Sequence, residues 1–299
     1  MRSEPIDAVL VTYNPNCELL NKVVNSISSQ VRKMYIVDNT PDRAKCLSNF
    51  LEYENIETIY LDDNKGIAYA QNIGIKKSIE DKSNYILLSD QDTIYPDDYI
   101  LDMIQAINKC NDDIAAIAPL YKDSNRRKKN EGFIKKSYFL NKKIYPESGL
   151  HEIYQAIASG KILNTKYLNK IGVMDENLFI DWVDLEWCWR SVKRGYKIIG
   201  NANVIITHHM GDKAINIGFK EISLRNPIRS YYITRNAIHL ALRCDSLNFL
   251  QKATIVFKTL RYLVAFPILA KPHMAHLEYA MRGFWHGLTG KLGKLNDPT

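Results

Sequence analysis

A short apolar segment that ends in two carboxylates constrains this chain more than any other feature. Residues 85–88 have the composition of a buried strand, and Asp90 and Asp92 follow them closely. Side chains two positions apart on an extended segment point the same way, so these two carboxylates converge. Their repulsion favours a cation, and Mg²⁺ or Mn²⁺ takes carboxylate oxygens together with substrate phosphates. For an isolated Asp-x-Asp, a solvated acidic turn is the alternative.

Strand and helix patterns alternate over the first 120 residues of the chain. Alternation of this kind predicts an α/β fold, in which a mostly parallel sheet is covered by helices on both faces. The predicted strands cover residues 8–11, 34–37, 57–61, 85–88 and 114–118, and the predicted helices cover residues 18–30, 43–53, 67–79 and 97–108.

Polar residues follow four of these strands at the points where the strands end. In a parallel sheet such ends share one edge, and ligands collect there. Tyr13 offers a flat face for a ring, and the Asp38 carboxylate suits the imide N–H of uracil or thymine. Because Asp also caps helices and turns, a turn-holding role for Asp38 stays open. The polar ends are Thr12-Tyr13-Asn14, Asp38-Asn39-Thr40, residues 62–66 and Asp90-Gln91-Asp92.

The third predicted helix begins with Gly66 and contains Asn72. Glycine allows close backbone approach, and a helix amino terminus favours anionic groups. Tight helix packing explains the same residues. The segment matches neither a P-loop nor G-x-G-x-x-G, so mononucleotide and dinucleotide binding of those two kinds lose support.

A second acidic segment lies at residues 178–190, where Asp181 and Asp184 stand among aromatic and apolar residues. Such surroundings raise the pKa of a carboxyl and suit a general base near neutral pH. A helix that starts near Asp184 gives this residue a capping role as well. Residues 153–159 are predicted as a strand before this segment, and residues 197–200 and 203–207 as two strands after it.

Further candidate ligands follow the last predicted strands. His208 and His209 come directly after a strand, where one neutral imidazole suits the metal held by Asp92. Arg235 lies on a helical pattern, where an Arg fork suits phosphate contact or covers apolar surface.

The chain is helical, apolar and sparsely basic from about residue 247 onward. Such helices suit a membrane interface, packing on the catalytic domain, or packing on a second subunit as a homodimer. We therefore divide the chain into a catalytic domain at residues 1–240 and a helical region at residues 241–299.

Composition narrows the function classes. A net charge of +7 over 299 residues suits anionic surfaces or phosphates but does not indicate a nucleic-acid binder. The 5 cysteines are scattered without CxxC spacing, which predicts a reducing compartment without a zinc site. With no signal-peptide pattern and no long apolar run, we expect a cytoplasmic protein, at most at the inner face of the membrane.

Taken together, these residues resemble the A-type (GT-A) glycosyltransferases of family 2. The resemblance covers about residues 5–240, and its Ser-Asp-Gln-Asp and Asp-Trp-Val-Asp-Leu-Glu-Trp-Cys segments are most similar to bacterial rhamnosyltransferases. Those enzymes use dTDP-L-rhamnose to build O-antigen or other surface polysaccharides on a lipid carrier. The motifs are residues 11–14, 37–39, 64–72, 88–92 and 179–186 and His208-His209.

The resemblance implies a role for each matching position. It implies one catalytic base at Asp184, with Asp181 as the competitor, because the family's Glu-Asp pair is Val183-Asp184 here. The donor would be held by Thr12, Tyr13, Asn14, Asp38, Asn64, Gly66, Asn72, Asp90, Gln91 and Arg235, and the metal by Asp90, Asp92 and His208.

The implied reaction is a single displacement that inverts the sugar carbon. It requires Mg²⁺ or Mn²⁺, a nucleotide sugar, and a hydroxyl of a lipid-linked or growing glycan, but no nucleic acid. Three alternatives stay open: transfer of galactofuranose, glucose or N-acetylglucosamine from a UDP donor, nucleotidyl transfer, and a non-catalytic role in a polysaccharide assembly complex. The loop after the first strand lacks the Gly-rich basic pattern of nucleotidyltransferases.

Overall fold

The computed structural model describes residues 5–110, 113–123, 130–137, 141–208, 214–217, 220–223, 226–269 and 271–296. Its strands are β1 (Ile6–Thr12), β2 (Lys33–Asp38), β3 (Ile56–Tyr60), β4 (Tyr85–Asp90), β5 (Thr93–Ile94), β6 (Ile114–Asp123), β7 (Phe133–Lys135), β8 (Lys142–Ile144), β9 (Leu150–Ile153), β10 (Lys161–Asn164), β11 (Lys197–His208), β12 (Ala214–Ile217) and β13 (Lys220–Ser223). Its helices are α1 (Cys17–Ile27), α2 (Ile67–Glu80), α3 (Tyr99–Asn108), α4 (Leu168–Ile171), α5 (Val183–Lys193), α6 (Pro227–Arg243), α7 (Phe249–Leu269) and α8 (His273–Thr289).

A central sheet runs in the order β3-β2-β1-β4-β10-β6-β11-β5, with β9 paired to β11. β3, β2, β1 and β4 pair in parallel, as do β6 and β11, whereas β10 runs antiparallel to both of its neighbours. The predicted α/β fold with a mostly parallel sheet is confirmed.

Alternate residues of the central strands supply the two cores of this layered fold. Val9 and Val11 of β1 lie in one core, together with residues of α2 and α5. Ala8 and Leu10 lie in the other, which α1 and α3 cover. A Cβ at Gly74 would lie 2.4 Å from Val9 Cγ1, so α2 packs on β1 through a glycine.

Four predicted elements differ in detail from the structure. The helix predicted at residues 43–53 is instead a 3-10 segment, Lys45–Phe50, which buries Cys46, Leu47 and Phe50. Arg43 has a φ of 51°, so a right-handed helix cannot include it. The strand predicted at residues 153–159 is wrong, since β9 ends at Ile153 and Gly160 turns the chain with a φ of 76°. The two strands predicted at residues 197–200 and 203–207 form one strand, β11, whose pairing with β6 shifts between Asn201 and Ile205.

The carboxyl-terminal helices pack closely on one another. Ser230 of α6 bonds His276 of α8 at 2.9 Å, and Tyr231 bonds His286 at 2.8 Å. α6 runs through residue 240, where we placed the domain boundary, and that division stays a prediction. Among the described residues, no helix is both long and apolar enough to cross a membrane.

We predict that Gly283→Ala destabilises the protein. Alanine normally favours a helix over glycine by up to about 1 kcal/mol. Here its Cβ would lie 2.4 Å from the Tyr231 carbonyl oxygen, so overpacking should lower the free energy of unfolding by about 1–3 kcal/mol. Denaturant unfolding measures the change. Met281→Ala, at an exposed position of the same helix, is the control and should stay within about 0.5 kcal/mol.

Candidate active site

The loop after β2 is built around the carboxylate of Asp38. Its Oδ1 accepts hydrogen bonds from Thr12 Oγ1 at 2.9 Å and from the Thr40 N–H at 3.2 Å. Its Oδ2 accepts from the Ala44 N–H at 2.7 Å, and the side chain is fully buried. These contacts give Asp38 the turn-holding role, while its contact with a base stays a prediction.

Two asparagines join this loop to the one that follows β3. Asn39 Nδ2 donates to Asn64 Oδ1 at 3.0 Å, and Asn39 Oδ1 accepts from the Lys65 N–H at 2.8 Å. Asn64 Oδ1 also accepts from the Gly66 N–H at 3.0 Å. The predicted polar residues of these two strand ends therefore form one connected network.

Gln91, the residue between Asp90 and Asp92, holds the loop after β1 through two hydrogen bonds to its backbone. Gln91 Oε1 accepts from the Tyr13 N–H at 2.7 Å, and Gln91 Nε2 donates to the Tyr13 carbonyl at 3.2 Å. Asn14, whose φ is 45°, donates its N–H to Thr40 Oγ1 at 2.9 Å. The Tyr13 ring stays 46% exposed, so its face is open to a planar ligand.

The two predicted metal-binding aspartates lie at the end of β4, in the middle of this edge. Asp90 Oδ2 accepts a hydrogen bond from Ser159 Oγ, and Asp92 directly precedes β5. The backbone of His208 pairs with Thr93, next to Asp92, but its side chain lies outside the described residues. Among the side chains that are described, no three Asp, Glu, His or Cys groups gather around one point.

Asp184 lies close to this aspartate pair. It is in the first turn of α5, which Trp182 precedes as the cap, and its Oδ1 accepts from the Leu185 N–H at 2.9 Å. Its Oδ2 accepts from the Ala158 N–H at 3.1 Å, next to Ser159. Burial raises the pKa of the Asp184 carboxyl, and the negative charge of Asp90 adds to this rise. A carboxyl with a raised pKa is suited to proton transfer near neutral pH.

Asp181, the competing candidate base, is engaged in an ion pair. Arg229 of α6 reaches Asp181 Oδ1 at 2.7 Å and Oδ2 at 3.4 Å. The backbone of Asp181 has a φ of 62°, and the Asn236 side chain donates to its carbonyl at 3.0 Å. These contacts fix the segment before α5 against α6.

The amino terminus of α2 meets the protein's own backbone. The N–H of Ile67 donates to the Phe179 carbonyl at 2.8 Å, and that of Ala68 donates to the same oxygen at 3.5 Å. A Cβ at Gly66 would lie 2.7 Å from this oxygen, so only glycine fits. The close approach expected at Gly66 is thus made by Phe179.

Asn72 and Arg235 are both buried and hydrogen-bonded within the protein. Asn72 Nδ2 donates to the Met174 carbonyl at 2.9 Å, and Asn72 Oδ1 accepts from the Met174 N–H at 2.9 Å. Arg235 Nη2 donates to the Leu178 carbonyl at 2.9 Å, and Nη1 donates to the Gly293 carbonyl. Both residues shape the loops before α5, and their contacts with a donor stay predictions.

A pocket of about 200 Å³ is lined by Ser159, which hydrogen-bonds Asp90, and by Leu185, which follows Asp184 in the chain. Its walls combine apolar groups, such as Phe133 and Pro119, with the polar Gln155 and Glu131. A mixed lining of this kind suits a sugar ring, which has apolar faces and polar edges.

Comparison with known proteins identifies the family. The sequence model of "Glycosyl transferase family 2" matches residues 7–172. The chain belongs to this family. It is 32% identical over 237 residues to the dTDP-rhamnosyl transferase RfbF of Shigella flexneri. The aligned segment covers 79% of each protein. The protein is therefore a glycosyltransferase.

Solved structures share the fold of this family 2 enzyme. TarS of S. aureus, residues 1–349, in complex with UDP-GlcNAc aligns with a TM-score of 0.58 at 15% identity, over 96% of this chain and 81% of that one. A longer TarS structure aligns with a TM-score of 0.57 at 16% identity, over 88% of this chain and 44% of that one. GalNAc-T7 with UDP, GalNAc and Mn²⁺ has a TM-score of 0.57 at 12% identity, over 85% of this chain and 55% of that one. This chain thus spans only about half of the latter two structures.

Sequence reasoning missed two residues of the candidate site. Ser159 was assigned to a strand end, although its hydroxyl bonds Asp90. Lys161 was not singled out, although its side chain is fully buried near Asp184. The Ser159-Gly160 pair was the available signal, because such a pair favours a turn.

We predict that Asp181 and Arg229 are coupled in stability. In a double-mutant cycle, Asp181→Asn and Arg229→Gln should each lower the free energy of unfolding. Their coupling should be about 0.5–3 kcal/mol, because the two groups form a partly buried pair. Denaturant unfolding measures it, and the exposed pair Lys22 and Glu18 is the control, expected near zero. Additive losses would show that Asp181 is not fixed by Arg229.

Proposed function

We propose that this glycosyltransferase moves L-rhamnose from dTDP-L-rhamnose to a hydroxyl of a lipid-linked or growing surface glycan. The observation that carries the donor assignment is the 32% identity to the dTDP-rhamnosyl transferase RfbF, which extends over 79% of the chain. In this proposal the nucleotide binds at the edge formed by the loops after β1, β2 and β3. There the exposed Tyr13 ring can stack on the base, and Gln91 fixes the orientation of that loop.

The residues at the end of β4 fit a divalent cation. Asp90 and Asp92 supply hard carboxylate oxygens of the kind that Mg²⁺ and Mn²⁺ prefer, and β11 brings the His208 backbone next to Thr93. Asp90, Asp92 and His208 are our proposed metal ligands. A bound cation supplies charge stabilisation for the leaving diphosphate.

Asp184 is our proposed general base. Its carboxylate takes the proton of the acceptor hydroxyl while that oxygen attacks the anomeric carbon of the sugar. The bond from this carbon to the diphosphate oxygen breaks in the same displacement, so the configuration inverts and dTDP leaves. The pocket beside Ser159 and Leu185 is our proposed acceptor site, because it adjoins both Asp90 and Asp184.

We predict that dTDP-L-rhamnose is turned over faster than UDP-galactofuranose, UDP-glucose or UDP-N-acetylglucosamine. Release of the nucleoside diphosphate measures this, with Mn²⁺ present and with EDTA. Asp92→Asn should lose at least about a hundredfold in kcat and most of its response to Mn²⁺, because it loses a ligand charge.

The control for this assay is Asp102→Asn, an exposed acid on α3, which should retain full turnover. Preferred turnover of a UDP-sugar would overturn the donor assignment. An Asp92→Asn variant that keeps its function in glycan assembly would instead indicate a non-catalytic role.

We further propose that α7 and α8 rest on an anionic membrane surface. On α8, Met274, Met281 and Trp285 are exposed at helical spacing, and on α7 Phe249 and Phe257 are 82% and 64% exposed. Cations accompany these apolar side chains, at Lys252, Lys258, Lys271, Arg282 and Lys291. Apolar side chains combined with cations match the interface of a bilayer that contains acidic lipids. A lipid-linked acceptor would be met at that surface.

We predict that the enzyme co-sediments with phosphatidylglycerol vesicles more strongly than with phosphatidylcholine vesicles, and that high salt weakens this binding. Phe257→Ser with Trp285→Ser should reduce binding at least about tenfold, since burying each side chain contributes about 1.5–3 kcal/mol. Leu51→Ser, at a 70% exposed position in the catalytic half, is the control and should bind as before.

Two results would contradict the membrane proposal. One is equal binding by the double variant. The other is a purified dimer that the two substitutions dissociate without any vesicle binding, since this result would assign the face to a second copy of the chain.

A further inference from the structure

Lys161 is a fully buried lysine at the start of β10, directly behind the proposed catalytic centre. Its Nζ lies 3.8 Å from Cys188 Sγ and 5.1 Å from the centre of the Trp187 ring. Burying an ammonium group is costly unless a negative charge compensates it. Lys161 therefore requires an explanation beyond packing.

The nearest polar neighbour of the ammonium does not provide that charge. Burial raises the pKa of the Cys188 thiol, so the thiol stays protonated and neutral. Among the described residues, no carboxylate oxygen lies within 4.0 Å of Lys161 Nζ, so Lys161 has no direct ion pair there. Its compensation must act over a longer distance.

Asp184 is the carboxylate on which the charge of Lys161 acts. Asp184 and Cys188 are four residues apart on α5, so they lie on one face of the helix, about 5–6 Å apart. Among the charged groups that act on Asp184, the positive charge of Lys161 has the largest effect. The Asp90 carboxylate on β4 acts in the opposite direction, and the Lys161 ammonium packs on the face of α5 that carries Asp184.

We propose that Lys161 is a positioning residue whose buried positive charge keeps the Asp184 carboxylate ionised and therefore able to accept a proton. This inference rests on the proposed base role of Asp184. A base must be unprotonated before the reaction, whereas burial favours the protonated form of Asp184. Lys161 offsets this effect of burial without touching the substrate.

The test is the pH profile of kcat/KM for the Lys161→Met enzyme. Removing the cation raises the pKa of Asp184, so the acidic limb of the profile should move to higher pH. We expect the limb to move by at least about one pH unit, which is a tenfold loss of kcat/KM at a pH on the acidic limb and is recovered at higher pH. Lys161→Arg, which retains the charge, should keep the limb close to that of the unmodified enzyme.

Two controls separate charge from packing. Cys188→Ala removes a contact of Lys161 without a charge, so the acidic limb should stay in place. Thermal unfolding of Lys161→Met should show no loss of stability, because methionine fills the same space without a buried charge. Lys161 is merely structural if Lys161→Met lowers the unfolding temperature while the acidic limb of the pH profile stays in place in all variants.

Asp184→Asn distinguishes failure of this inference from failure of the proposed function. If Asp184→Asn retains turnover, the base assignment itself is wrong. If Asp184→Asn is inactive and Lys161→Met has an unchanged pH profile, only the role of Lys161 is overturned. Should Lys161→Met fail to fold, Lys161→Gln replaces it, since the amide keeps polarity but removes the charge.

Discussion

The hydrogen bond between Ser159 and Asp90 joins the two halves of the site. Asp90 ends β4, beside the loops that follow β1 and β2, whereas Ser159 belongs to the turn that leads into β10. The residue before Ser159 donates its N–H to Asp184, so this one turn places both carboxylates. A shift of the turn would separate the proposed donor site from the proposed base. The rigidity of the turn is thus a requirement for the geometry of the site.

The balance of charge is the second constraint on this site. Three partly exposed carboxylates and one fully buried ammonium lie at or below this edge of the sheet. The antiparallel strand β10 places Lys161 beneath α5, in a position that a purely parallel sheet would not provide. The reversal of one strand therefore contributes to the electrostatics of the site as well as to the topology.

The fold and the edge that carries the site could be predicted from sequence because both depend on local patterns. Apolar runs gave β1, β2 and β4, and the polar residues after them were assigned to the correct edge. Contacts between distant segments could not be predicted in this way. The pairing of Asp181 with Arg229 joins positions 48 residues apart, and no periodicity reports it. The same holds for Lys161, since a lysine in a sequence usually indicates a solvated surface.

The Phe179 carbonyl at the amino terminus of α2 has a consequence for how this enzyme recognises its nucleotide. Many α/β proteins neutralise a diphosphate with free main-chain N–H groups at such a terminus. Here two of these groups are already hydrogen-bonded to the protein itself, so they are not available to a phosphate. Side chains and ions in solution then supply a larger share of the countercharge for the diphosphate. Affinity for the donor should therefore vary with the ionic composition of the surroundings.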